Sequence, residues 1–200
     1  FITLFGFFNK LYKTRFYTNL IWIFFAFLAL VVINSNESGD SYRYASWFQE
    51  FSSKDHLGKF SYFDKDFSLD YYRFLSFYFV SFFTSESRIY FVFVALVYGY
   101  FYKNIIGSLF LKLNGVLTWE HKTALLAFIF ILPFMGFTFV RFTTALVIFI
   151  YFAIKYFDNY DRKYIVLSSM AVLVHFSFLF AVSLFILYYF LPKSRYWFIF

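Results

Sequence analysis

The stretch Gly136-Phe137-Thr138-Phe139-Val140-Arg141-Phe142-Thr143-Thr144-Ala145 sets one guanidinium inside an almost entirely apolar run from Thr123 to Ile154. An unbroken apolar run longer than the roughly 20 residues that carry a helix across a bilayer reads as membrane-embedded chain. Arg141 is then the anomaly to explain. An arginine at membrane depth costs roughly 2.5–3.5 kcal/mol on insertion scales, so such a residue faces the protein interior or a wet cavity and marks a candidate site.

The rest of the chain agrees with a membrane class. Hydrophobic residues make up 62% of the 200 and charged residues 14%, with a mean hydropathy of +0.66, against about 45–50% and 25% in soluble domains. The expected fold is all-α: a polytopic integral membrane helical protein with about five spans or re-entrant helices, one membrane domain over residues 1–200, and one external loop over 34–70. The chain starts at Phe1 and stops within the apolar Tyr196-Trp197-Phe198-Ile199-Phe200, so it is expected to be a piece of a longer protein with spans missing at both ends. The 38 Phe and 19 Tyr are spread through every apolar segment and set no binding code. The formal charge of +7 comes from basic residues dispersed singly, which excludes a nucleic-acid surface and instead fits cytoplasmic loops enriched in Lys and Arg. With no cysteine there is no disulfide framework and no thiolate nucleophile or ligand. There is also no Gly-rich phosphate loop, no His pair at metal-ligand spacing and no serine nucleophile elbow, so no metal and no cofactor are expected.

Charge sets the expected topology. Lys10, Lys13 and Arg15 form a cytoplasmic cluster, Phe16 to Ile33 the first complete helix, and Asn34 to Asp70 the external region. Within that region Asp40, Tyr44, Trp47 and Phe48 fall at i, i+4, i+7 and i+8, one stripe of a short helix against the membrane surface, ended by Gly58 and the charged residues after it. The segment from Asp70 to Thr84 is too short to cross and reads as re-entrant or interfacial, whereas Arg88 to Ile106 is long enough. If 70–84 does not cross, Lys103, Lys112, Lys122, Lys155, Arg162 and Lys163 share a side with Lys10 to Arg15; if it does, they violate the charge rule. Thr123 to Phe152 is expected to go out and return as a hairpin broken near Pro133 and Gly136. Arg141 then lies near the outer end of the return helix, on the side of the Asp40 helix. The last segment, Tyr164 to Leu191, is read as a crossing with His175 near its centre, which leaves Lys193 and Arg195 outside, against the rule.

Three residues stand out as candidates for chemistry. Arg141 offers five fixed donors matched to phosphate or carboxylate, with Thr144 and Ala145 one turn on; the structural alternative is an arginine that pairs with a loop acid or snorkels to the interface. His175, with Ser168 two turns before it, is either a packed histidine bonded to a neighbouring carbonyl or a neutral donor or proton relay. Asp40 follows Gly39 at a helix start, where aspartate caps the backbone amides well but is also placed to act as a base or to bind sugar hydroxyls.

Gly39-Asp40-x-x-x-Tyr44-x-x-x-Phe48 after an apolar helix, Val140-Arg141 with Ala145 opening a helix that ends in Lys155, and Val174-His175-Phe176-Ser177 together resemble the EpsG family of Wzy-like membrane polymerases. The resemblance covers about Gly39 to Ser183 and departs from the family at Phe142, where glutamine is usual. It implies polymerisation of lipid-diphosphate-linked oligosaccharide repeat units of exopolysaccharide or O-antigen at the outer face of the bacterial cytoplasmic membrane. Arg141 would hold the diphosphate of the undecaprenyl carrier. Asp40 and His175 would position or deprotonate the acceptor hydroxyl, and Arg43, Tyr44, Trp47 and Thr144 would line the substrate site, the aromatic faces meeting sugar rings. The implied partners are the lipid-linked oligosaccharide, membrane lipids and a chain-length regulator. A transporter or flippase of such glycans and a membrane acyltransferase are the alternative classes.

Overall fold

A computed structural model of the chain describes residues 15–32, 40–66, 71–113 and 140–190; a few side chains inside those ranges, Asp40 among them, lie outside the description. Among the described residues the chain is helical: α1 (Arg15–Val32), α2 (Asp40–Ser52), α3 (His56–Asp66), α4 (Tyr71–Ser81), α5 (Ser87–Leu113), α6 (Val140–Asn159), α7 (Lys163–Ser168), α8 (Met170–Val174) and α9 (Phe178–Phe190). Two stretches, Ser87–Leu109 in α5 and Val140–Asn159 in α6, are long and apolar enough to cross a membrane. The expected turn near Pro133 and Gly136 lies outside the described residues.

Helix α1 pairs with α5 in antiparallel fashion. Asn19 meets Lys103 at 2.9 Å, the Trp22 ring lies against Tyr100, and Phe25 packs on Tyr98 and Tyr102. Gly99 makes the close approach possible: a Cβ there would lie 3.1 Å from Trp22 Cδ1 and 3.2 Å from Phe25 Cβ, and small residues let membrane helices approach in this way. Because the start of α1 lies beside the later part of α5, Val32 at the end of α1 and Ser87 at the start of α5 lie at the same end of the bundle. Helix α4, with 11 residues and so about 16 Å long, packs there on α2 and α5. The end holding Arg15, Lys103, Lys155, Arg162 and Lys163 is called the basic end below, and the other the far end.

At the far end the apolar stripe of α2 does not lie against a membrane surface alone. Phe48 and Phe51 are fully buried, with Phe48 stacked on Tyr90 of α5 and edge-on to Phe77 of α4. The second correction concerns Gly58. Helix α2 already ends at Ser52, and Gly58 sits in the first turn of α3, its amide donating to Asp55 Oδ1 at 2.8 Å. Asp55 thus acts as an N-cap; a Cβ on residue 58 would come within 2.6 Å of that oxygen, which explains the glycine. Lys59, nearly buried, donates to Ser81 Oγ at 3.0 Å and ties α3 to α4.

Helix α6 runs in the same direction as α5, with Val140 at the far end and Tyr151 and Phe152 against Phe101. It stops at Tyr160, whose φ of 52° is the left-handed conformation common just past a helix end. Asp161 then accepts the Lys163 backbone amide and its ammonium, at 3.0 and 2.7 Å, which holds the carboxyl below its usual range.

The last segment corrects the sequence expectation most. Tyr164 stacks on Phe152, and eleven residues later His175 meets Phe142, so α7 and α8 climb from the basic end to the far end. The backbone then opens at His175, with φ −152° and ψ 117°, and α9 turns back: Phe178 contacts Phe142 and Phe149, Phe185 contacts Tyr156, and Tyr189 lies under the Arg162 guanidinium at 5.5 Å. Tyr164 to Leu191 is therefore not one crossing with a central histidine. It is a hairpin entered and left at the basic end, with His175 at its tip, so the expectation that Lys193 and Arg195 fall on the opposite side no longer follows. In this cysteine-free chain, cysteines placed at 162 and 189 are expected to be joined by a bifunctional maleimide whose reach matches an arginine side chain plus a tyrosine side chain. A continuous crossing would hold them a membrane thickness apart and give no cross-link.

Candidate functional site

The residues of interest gather at the far end, on four helices. Arg141 is the second residue of α6, and its guanidinium carbon lies 5.8 Å from the centroid of the Tyr44 ring on α2. Tyr44 is edge-to-face with Trp47, at 5.5 Å. The other partner of Trp47 is Arg73, the third residue of α4, whose guanidinium carbon stands 4.5 Å over the indole. One aromatic pair thus carries two guanidiniums delivered from two different helices. Tyr44 is 5% exposed and Arg73 7%, and a cation–π contact gains strength when it is desolvated in this way.

The two arginines hold the same kind of place in the fold. Each lies in the first turn of its helix, where the unsatisfied amides already carry the positive end of the macrodipole, equivalent to about half a charge. The start of α9 points to the same end, beside Phe142. Two guanidiniums and the amino-terminal ends of α4, α6 and α9 thus share one region, and helix amino termini are places where anions are commonly held.

His175 lies on the other flank of the first turn of α6, its ring perpendicular to Phe142 at 5.6 Å. The Ser177 backbone amide donates to His175 Nδ1 at 3.3 Å, and the Ser177 hydroxyl lies 2.7 Å from the same nitrogen. A nitrogen that accepts an N–H carries no proton, so the neutral tautomer that fits this contact is the one protonated on Nε2. Ser168, two turns earlier in the sequence, is buried and gives its hydroxyl to Ile165 O at 2.6 Å.

The other sequence candidates divide. Asp40 is the first residue of α2, one helical turn before Tyr44 and so about 6 Å of rise from the ring under Arg141. Tyr44 and Trp47 are at the site, each with its ring beside a guanidinium. Arg43, one residue from Tyr44, falls on the exposed face of α2. Thr144 is buried and donates its hydroxyl proton to Val140 O at 2.6 Å, which satisfies a carbonyl of its own helix rather than a ligand. Arg73 was the residue to find. Its signal was the same as that of Arg141, an arginine within the otherwise mostly apolar stretch from Asp70 to Thr84.

Among the described residues no cluster of His, Cys, Asp and Glu could hold a metal ion. No family model, no curated protein and no solved structure matches the chain.

Proposed function

We propose that the chain is part of a multi-pass protein of the bacterial cytoplasmic membrane that joins lipid-diphosphate-linked oligosaccharide units, as the resemblance to Wzy-like polymerases implies. The observation that carries this reading is the pair of guanidiniums, Arg73 and Arg141, set in the first turns of two helices against one aromatic pair. A planar five-donor group grips phosphate oxygens in pairs, and two such groups suit a diphosphate. The outward faces of α1 and α9, with Ile23, Phe27, Val31, Phe180, Leu187 and Phe190 all exposed, support a lipid surrounding, since soluble proteins keep large apolar patches rare.

In this account the acceptor hydroxyl attacks the anomeric carbon of the donor unit. The bond from that carbon to the diphosphate oxygen breaks, and the lipid diphosphate leaves with its new charge spread toward the two guanidiniums. Asp40 takes the hydroxyl proton, and His175, through Nε2–H, donates a hydrogen bond that orients the substrate. The far end is the outer face, and the basic end faces the cytoplasm. The test is complementation: in cells lacking the full-length protein, lipid-linked single repeat units should accumulate and long chains vanish, and both should revert with the gene. If single units instead build up only on the cytoplasmic side, a flippase is the correct class.

A further inference from the structure

At the basic end, away from the arginine pair, α1 and α5 build a second polar point. The Lys103 ammonium sits 2.9 Å from Asn19 Oδ1, 4.5 Å from the centroid of the Trp22 ring and 5.5 Å from that of Tyr100. No carboxylate pairs with it among the described residues. The same two rings wall a cavity of about 340 Å³, completed by Phe93, Leu96, Val97 and Phe101. The one polar hydrogen of the Trp22 ring is directed to Leu96 O at 2.7 Å, so the cavity offers hydrocarbon and aromatic carbon alone. Among the described residues, the Lys103 charge at the rim of an apolar slot thus meets a neutral amide and two ring faces but no carboxylate.

We propose that Lys103, Asn19 and Trp22 bind an anionic phospholipid of the cytoplasmic leaflet, its phosphate on the ammonium and one acyl chain in the slot. The inference rests on the membrane reading above but not on the polymerase reading. Charge complementarity selects this occupant. Basic pockets between helices on the cytoplasmic side meet anionic head groups, each cation contributing about 1 kcal/mol or roughly fivefold in affinity, and a slot without polar groups accepts an alkyl chain but no sugar or peptide. Indole and phenol rings beside a lysine also match the interfacial belt where head groups begin.

The experiment is native mass spectrometry of the purified protein, titrated in detergent with phosphatidylglycerol and with phosphatidylcholine of the same acyl chains. The wild type should retain phosphatidylglycerol about fivefold better, and Lys103→Gln, which keeps a donor for Asn19, should abolish the preference without changing the melting temperature appreciably. Val97→Trp, which fills the slot, should weaken retention of both lipids. Equal retention of the two lipids by the wild type, or a preference that survives Lys103→Gln, would overturn the proposal. So would a wild type that takes up neither lipid, the outcome expected if residues 114–139 of the chain itself fill the slot. Glycan polymerisation should persist in Lys103→Gln, so failure here and failure of the polymerase reading are separate results.

Discussion

Replacing Arg141 with alanine is expected to abolish long glycan chains and leave lipid-linked single repeat units in the membrane, at a protein level matched to the wild type. Lysine is the informative companion. It keeps the positive charge and snorkels as well as arginine, but it replaces a planar fork with a point charge. Hydrogen bonds to charged groups contribute about 1.5–3 kcal/mol each, so losing one of a pair on a phosphate should lower polymerisation roughly tenfold to a hundredfold. The Tyr44 contact sharpens the test: an ammonium also sits over a phenol ring, so Arg141→Lys leaves that contact available while removing the bidentate grip. Arg73→Lys should show a loss of similar size, because the geometry gives the two arginines equivalent places on the aromatic pair. Wild-type chain lengths in either lysine variant would remove that arginine from the diphosphate grip.

His175 gives the second large effect, and its two amide variants separate the possible roles. With Ser177 donating to Nδ1, the working proton is on Nε2. Glutamine places an N–H near the Nε2 position, and asparagine places its amide near Nδ1. If His175 is a donor, His175→Gln should keep activity within about threefold, whereas His175→Asn should lose about a hundredfold, the scale of a removed donor at a reacting oxygen. If His175 is instead the general base, both variants should fall by 10²–10⁴, and the wild-type rate should rise as pH climbs through roughly 6.5, where a histidine becomes neutral. A rate nearly flat across that pH range, together with an active glutamine variant, is the expected result.

Much of the fold could be read from hydrophobic runs, because a run of 18 or more apolar residues has few alternatives to a helix. The expected Phe16–Ile33 and Arg88–Ile106 lie within one residue of α1 at both ends and of α5 at its start, with α5 continuing to Leu113. The hairpin of α7 to α9 was not legible. Ala171 to Phe185 is apolar throughout apart from His175, Ser177 and Ser183, and nothing in its hydropathy distinguishes a helix that continues from one that reverses. The reversal depends on Ser177 capping the break through His175 and on α9 finding the face of α6 lined by Phe149 and Tyr156, both of them tertiary facts. Gly58 misled for a related reason: a glycine commonly ends a helix, and here it opens one because the cap of Asp55 leaves no room for a side chain.

Arg141 was legible as a candidate because its cost in an apolar run is large. Its partner was not, because Arg73 lies in a segment whose shortness drew attention to topology rather than chemistry. The meeting of the two through Tyr44 and Trp47 is set by the packing of α2 against α4 and α5, and no spacing in the sequence encodes it. Spacing did place Tyr44 and Trp47 on one stripe. What it could not show is that a guanidinium from another helix lies against each ring.

The most direct measurement of the central claim uses the purified full-length protein in liposomes, with the lipid-diphosphate-linked repeat unit as sole substrate. The account predicts a ladder of lengthening lipid-linked glycans, one free lipid diphosphate released for each unit joined, and loss of both with Arg141→Ala. Units that cross the bilayer with no new glycosidic bond and no released lipid diphosphate would contradict it.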